Sequence, residues 1–184
     1  MQHITTTAEC LSDAQARFIR HWGEMANAWG IPRTMGEVHA LLLVASEPLT
    51  TDDIMDKLQI SRGNASMSLR GLQDWGLIRH VHRLGDRKTY YEAESDIWEV
   101  LRAIVRERKR REFDPTMRTL NTLVAQVQDG CGEEAETNED VAVFLWRVGT
   151  LLDLMVTLDE AYSRYGNVGQ AQARRLLEVE VQGL

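Results

Sequence analysis

The stretch from Pro48 to Tyr91 constrains this chain more than any other. Thr50 or Thr51 is placed to cap a short helix through Leu58, and Asp52 and Asp53 sit where carboxylates favour the positive end of a helix dipole. Ile54 and Leu58 face inward. Ser61 then caps a second helix to about Trp75, with Ala65, Leu69 and Leu72 at i, i+4 and i+7 making one apolar face. Gly76 ends that helix and Leu77 to His82 alternates as a strand. Leu84-Gly85-Asp86-Arg87 makes a turn, and Lys88 to Glu92 returns as a second strand.

Two helices joined by a tight turn and followed by a hairpin are the order of a winged helix-turn-helix. The polar face of the second helix offers Arg62, Gly63, Asn64, Ser66, Met67 and Arg70. A merely solvated helix is usually rich in Glu and Lys. Small and hydrogen-bonding side chains near the helix start instead suit close approach to a DNA major groove. Arg62 and Arg70 can pair bidentately with guanine or phosphate, and Asn64 suits adenine unless it only supports the helix start beside Ser61. Arg83, Arg87 and Lys88 cluster at the hairpin tip, a pattern for minor-groove or phosphate contact.

The net charge of −7 argues against a polyanion partner only until it is divided along the chain. Residues 1–60 balance at −4, residues 61–111 at +5 and residues 112–184 at −8, so the positive charge is confined to one segment. Binding to DNA depends on such a local patch rather than on the total.

The flanking segments read as helices. Residues 12–29 form one that Ser12 or Asp13 is placed to cap, with Phe18, Trp22, Met25 and Trp29 along one face. Gly30 ends it, Pro32 opens the next, and the apolar block Val38 to Ala45 within residues 33–46 predicts deep burial. His39 there reads as a satisfied core residue. After the hairpin, Asp96 caps a helix to about Glu112, with Ile97, Leu101 and Ile104 inward. The basic run Arg106 to Arg111 at its end favours the dipole, with phosphate contact as a lesser role. Asp114-Pro115 is expected to interrupt the helix, and Pro115 to begin another to about Gln128. Residues 129–139, rich in Gly and Glu, read as a linker. Val141, Phe144, Val148, Leu151, Met155, Leu158, Tyr162 and Tyr165 then follow alternating steps of three and four. That is a heptad seam for a helix packed lengthwise on a partner, within the chain or in a second copy. Residues 168–182 read as a final amphipathic helix.

Several of these stretches resemble the GbsR-type branch of the MarR-like transcriptional regulators. Trp22 to His39 resembles the leading helices of that branch, and Ile60 to Ile78 its recognition helix. Leu84 to Tyr91 resembles the wing, and Glu107 to Pro115 the helix that follows. The likeness covers about residues 15–120 and fades beyond. It implies a homodimer whose recognition helix presents Ser61, Arg62, Asn64, Ser66, Met67 and Arg70 to DNA, and whose wing presents Arg83, Arg87 and Lys88. A dyad-related pair of such units reads a palindromic operator with half-sites about one helical turn, roughly 34 Å, apart.

The expected architecture is therefore mainly α, a winged helix-turn-helix with a two-stranded wing and long helical dimerisation segments. Its divisions are a DNA-binding domain over residues 1–95 and a helical dimerisation and effector region over residues 96–184. The seam Val141, Phe144, Val148, Leu151, Met155, Leu158 and Tyr162 carries dimerisation. Trp22, Trp29, Trp146 and Asp153 are effector-site candidates, since an indole beside a carboxylate can receive a cationic amine. His80 and His82 share a strand face but lack further ligands at a familiar spacing, so no metal is expected. Cys10 and Cys131 fit neither a disulfide framework nor a zinc site. The chain has no recognisable nucleophile motif or phosphate loop, so no enzyme and no cofactor is expected. No apolar run is read as approaching a membrane span, and the N-terminus shows no secretory pattern. The reading is a cytoplasmic, dimeric, double-stranded-DNA-binding regulator that acts by repression under a small effector; the alternative is a winged-helix adaptor that binds protein instead of DNA.

Overall fold

Helix α1 (Thr7–Ala28) starts ahead of its apolar stripe because Thr6 and Glu9 cap it reciprocally. The Glu9 N–H donates to Thr6 Oγ1 at 3.2 Å and the Thr6 N–H donates to Glu9 Oε2 at 2.8 Å. This capping box displaces Ser12 and Asp13, expected as caps, into the helix interior. The computed structural model describes residues 6–131 and 138–165 and divides into two units, Met1–Ala103 and Ile104–Leu184.

The first unit is built around α2 (Arg33–Val44), whose Met35, Gly36, Val38, His39, Ala40, Leu41 and Leu42 are all buried. The crossing with α1 is made by small residues, not by the aromatic stripe. A Cβ added at Gly36 would lie 2.6 Å from the Ala26 Cβ and 3.1 Å from the Gly23 Cα. Phe18, Trp22 and Met25 flank the crossing half-buried, and Trp29 is 51% exposed. The Trp22 Nε1–H donates to His39 Nδ1 at 3.3 Å. His39 Nε2 is buried without a hydrogen-bond partner, so this histidine is satisfied at one nitrogen only. Burial pushes its pKa from 6.5 down to about 4, because the charged ring would lose its hydration.

The chain continues through β1 (Leu49–Thr50), α3 (Thr51–Leu58), α4 (Arg62–Asp74), β2 (Ile78–Val81) and β3 (Tyr90–Ala93). This is a mainly α winged helix-turn-helix. The two wing strands pair antiparallel in the register Arg79↔Glu92 and His80↔Tyr91. A third, two-residue strand joins them: Leu49↔Tyr91 and Thr50↔Tyr90 give the order β1-β3-β2. Ile54, Ala65, Leu69, Leu72, Leu77 and Ile78 fill the core between these elements.

Helix α5 (Ile97–Arg108) buries Val100 and Ala103, while Ile97 and Leu101 are each 50% exposed, so its inward face lies one position off the expected one. No break follows at Asp114-Pro115. A π-helical turn (Lys109–Phe113) leads directly into α6 (Asp114–Cys131), and the Asp114 N–H donates to the carbonyl of Lys109. Proline lacks an N–H and crowds the carbonyl four residues back; a wider turn just before it relieves that crowding without ending the helix. Residues 129–131 remain helical, so the expected linker is shorter than its composition suggested. The expected helix over residues 168–182 lies outside the described residues.

Helix α7 (Glu139–Tyr165) packs on α6. Of the heptad positions, Met155 is buried and Val141, Phe144, Val148 and Tyr162 are half-buried, whereas Leu151 and Leu158 are 46% and 52% exposed. Leu152 and Asp159 are the half-buried neighbours instead, as a straight helix of 3.6 residues per turn drifts off a 3.5-residue seam. The expectation of no membrane-length apolar run is also corrected: Glu139–Ser163 is long and apolar enough to cross a bilayer.

Two outcomes follow from the first unit. Gly36→Ala is expected to lower stability by about 1–3 kcal/mol in denaturant unfolding, because the added methyl must push α1 and α2 apart. A neutral or stabilising result, as helix propensity alone predicts, would contradict the tight crossing. The depressed His39 pKa means that the unfolded chain takes up the proton first as pH falls. Its stability contribution is whole above pH 6.5 and is lost progressively toward pH 4, by up to roughly 3 kcal/mol on the linkage relation. His39→Gln, which can still accept from Trp22, should flatten stability against pH in that window; an unchanged slope argues against the buried neutral ring.

Candidate nucleic-acid interface

The placement of α4 is set by caps on both sides of the turn before it. Thr50 and Asp53 cap α3 reciprocally: the Thr50 hydroxyl and N–H donate to Asp53 Oδ2 at 2.6 and 2.8 Å, and the Asp53 N–H returns to Thr50 Oγ1 at 3.2 Å. The Thr50 hydroxyl and then its N–H hold the Asp53 carboxyl below its ordinary pKa. Gln59 ends α3 in the left-handed region at φ 53°, and its side chain donates to the Asp56 carbonyl at 2.6 Å. Ser61 Oγ then accepts from the Asn64 N–H at 3.3 Å to start α4. Only the Asn64 backbone takes part in that cap.

Ala65, Ser68, Leu69 and Leu72 bury the inner face of α4, and Ser61, Arg62, Asn64, Ser66, Met67 and Arg70 are all exposed on the outer one. Met67 is 66% exposed, an apolar contact of the size a thymine methyl meets. In the wing, Gly85 adopts φ +84°, and Asp86 organises the turn around it. Its carboxylate accepts from the Lys88 N–H at 2.9 Å and from the Tyr90 hydroxyl at 2.7 Å, and these donors, the backbone N–H first, lower its pKa. The Arg83 guanidinium lies 4.5 Å from the Tyr90 ring centroid. Arg87 and Lys88 are exposed, and Leu84, which opens the turn, is fully exposed at the tip.

Two of the arginines are not free in this structure. Arg62 Nη2 is 2.6 Å from Asp52 Oδ1, and Arg83 Nη2 is 2.7 Å from Glu47 Oε2. Arg70, Arg87 and Lys88 make no ion pair among the described residues. The sequence signal for Asp52 was present but was absorbed by the helix dipole, and nothing local links Glu47 to Arg83. The basic run 106–111 is largely spent on internal pairing. Glu107, only 6% exposed, accepts from Arg110 at 2.6 and 3.0 Å and from Arg111, and these cations, Arg110 foremost, hold its carboxyl below the usual range. Lys109 Nζ bridges Asp114 at 2.6 Å and Asp159 at 2.9 Å.

The effector candidates do not form one site within either unit. Trp22 is occupied with His39 and packs 5.5 Å from Phe18. Trp146 is 71% exposed, and Asp153 accepts at its backbone carbonyl from Thr157. A cavity of about 370 Å³ lies in the second unit, lined by Val105, Phe113, Met155 and Tyr162 with Lys109 and Asp159. None of Trp22, Trp29, Trp146 or Asp153 lines it. His80 contacts Gln73 and lies 5.0 Å from the Tyr91 ring, and Cys10 and Cys131 are free thiols.

Among known proteins, YvaV of Bacillus subtilis (strain 168) is 27% identical over 89 residues, which cover 48% of this chain and 50% of YvaV. The HTH-type transcriptional repressor GbsR of the same organism is 24% identical over 118 residues, 64% of each chain. The chain thus spans between half and just under two thirds of the length of these relatives. A crystal structure of a transcriptional regulator aligns with a TM-score of 0.46 and 17% identity, over 82% of this chain and 99% of that one. Residues 29–88, the segment that holds the helix-turn-helix and the basic tip of the wing, match the MarR family.

Proposed function

We propose that this chain is a sequence-specific, double-stranded-DNA-binding transcriptional regulator that acts as a dimeric repressor in the cytoplasm, where its operator lies. The observation that carries the reading is the outer face of α4. Ser61, Arg62, Asn64, Ser66, Met67 and Arg70 stand exposed together, on the helix that follows the capped turn, in the same unit as the exposed Arg87 and Lys88 of the wing. Guanidinium and amide groups on one helix face supply the donors that read base edges, while the wing cations add phosphate contact. Similarity to GbsR, a transcriptional repressor, supports repression as the sign of regulation.

The dimer reading rests on α7. Val143, Trp146, Leu151, Leu154 and Leu158 form a stripe on one side of the helix, between 40% and 71% exposed. Water disfavours such a stripe, and a bilayer is a poor cover because Arg147 and Asp153 fall within it, each opposed by about 2.5–3.5 kcal/mol at a membrane centre. A second copy of the same helix covers it by symmetry. On this reading Leu151 and Leu158 act in dimerisation as expected, and Trp146 joins them instead of lining an effector site. The cavity beside Met155 and Tyr162 is of a size that holds a small ligand and is the better place for an effector.

Fluorescence anisotropy with duplexes from upstream of the chain's own gene, across a salt series, tests DNA binding. Arg62→Ala/Arg87→Ala should weaken selective binding by at least about tenfold, the effect of losing one good base contact or more, and should reduce the salt slope. Binding that is equal on random DNA and indifferent to these changes, followed by no preferred site in genomic fragment selection, would sink the regulator reading. Sedimentation of Leu154→Glu/Leu158→Glu should give a monomer with unchanged helical circular dichroism. An unaltered dimer mass would remove α7 from the interface.

A further inference from the structure

We infer that Asp52 is a specificity-determining residue of the DNA-binding face, which holds Arg62 away from the phosphates of non-specific DNA; this rests on the DNA-binding reading above. Asp52 lies in the first turn of α3 and Arg62 is the first residue of α4, so the tight turn between the helices brings them together. Their contact is 2.6 Å, with 67% of the Arg62 side chain and 62% of the Asp52 side chain exposed. An exposed pair of this kind is weak, which lets DNA break or share it.

The chemistry of the two kinds of DNA separates the outcomes. On non-specific DNA, where no guanine is held in reach, Arg62 meets a phosphate. It exchanges one anionic partner for another and leaves the Asp52 carboxylate unpaired beside a negatively charged backbone. At a site with guanine in reach, the N7 and O6 acceptors carry no net charge, and the five N–H donors of a guanidinium can serve a base edge while one still faces the carboxylate. Asp52 therefore penalises phosphate contact more than base contact. The same device recurs in the wing, where Glu47 holds Arg83 at 2.7 Å, and Arg83 is also fixed over Tyr90. Arg70, Arg87 and Lys88 remain to supply the unselective attraction.

The test uses the full chain, the tightest-binding duplex selected from a randomised library, and a scrambled duplex of the same length. Asp52→Asn is expected to tighten binding to the scrambled duplex about two- to fivefold, the range that an exposed ion pair spans, and to tighten the selected duplex less. Asp56→Asn removes an exposed carboxylate one turn along the same helix and controls for simple loss of negative charge. In an Arg62→Gln background the effect of Asp52→Asn should disappear, since a double-mutant cycle isolates the pair. Thermal melts confirm that each variant is folded at the assay temperature. The inference is overturned if Asp56→Asn gives the same gain, if the gain persists without Arg62, or if both duplexes gain equally. A wild-type chain that shows no preference between the duplexes overturns the DNA-binding reading itself, and this inference with it.

Discussion

The first unit depends on one close helix crossing. Helix α2 can be buried on nearly every side only because Gly36 meets Gly23 and Ala26 of α1 with no side chain between the backbones. That approach leaves the rest of the α2 surface for α3, α4 and β3. Large side chains could not occupy the contact without forcing the helices apart, so Phe18, Trp22 and Met25 lie beside it. The same compactness leaves His39 with one hydrogen bond and no charge.

From that hub the orientation of α4 follows through short-range bonds. Thr50 is at once a residue of β1, paired with Tyr90, and the cap of α3. One residue thus ties the wing sheet to the first helix of the pair. Gln59 in a left-handed conformation and the Ser61 cap then turn the chain into α4. Each bond is modest, about 1 kcal/mol for a cap, yet together they leave α4 one direction to take. A DNA-reading helix needs that rigidity, because base-edge hydrogen bonds are lost within a fraction of an ångström and tens of degrees.

Electrostatics on this chain is a matter of which cations are left unneutralised. The basic segment 61–111 reads as one patch by composition, but its members have different fates. Arg110 and Arg111 clamp the nearly buried Glu107, Arg79 pairs across the sheet with Glu92, Arg62 faces Asp52 across the turn between α3 and α4, and Arg83 faces Glu47 from before β1. The attraction available to a polyanion is therefore narrower than the charge count, with Arg70, Arg87 and Lys88 of the first unit and Arg106 of the second making no ion pair among the described residues.

The order of the helix pair and the wing hairpin, the exposed polar face of α4 and the wing tip were all legible in the sequence, because capping residues, glycine turns and apolar periodicity act over a few neighbours. Ser61, Gly76 and the Ala65-Leu69-Leu72 face needed no knowledge of the rest of the chain. The α1–α2 crossing was not legible, since Gly23 and Gly36 look like helix-weakening residues until the second helix is seen. The strand Leu49–Thr50 was too short to show a period. Composition grouped the effector candidates without fixing their surroundings: within the first unit Trp22 donates to His39, and on α7 Trp146 is 71% exposed. The heptad of α7 identified an apolar helix but not which side faces its neighbour, for a one-residue drift exchanges Leu151 for Leu152. By itself the sequence determined what acts within a turn or two of backbone. Only the tertiary structure decided which side chains meet across the chain, because those contacts depend on helix separation and register that no local pattern encodes.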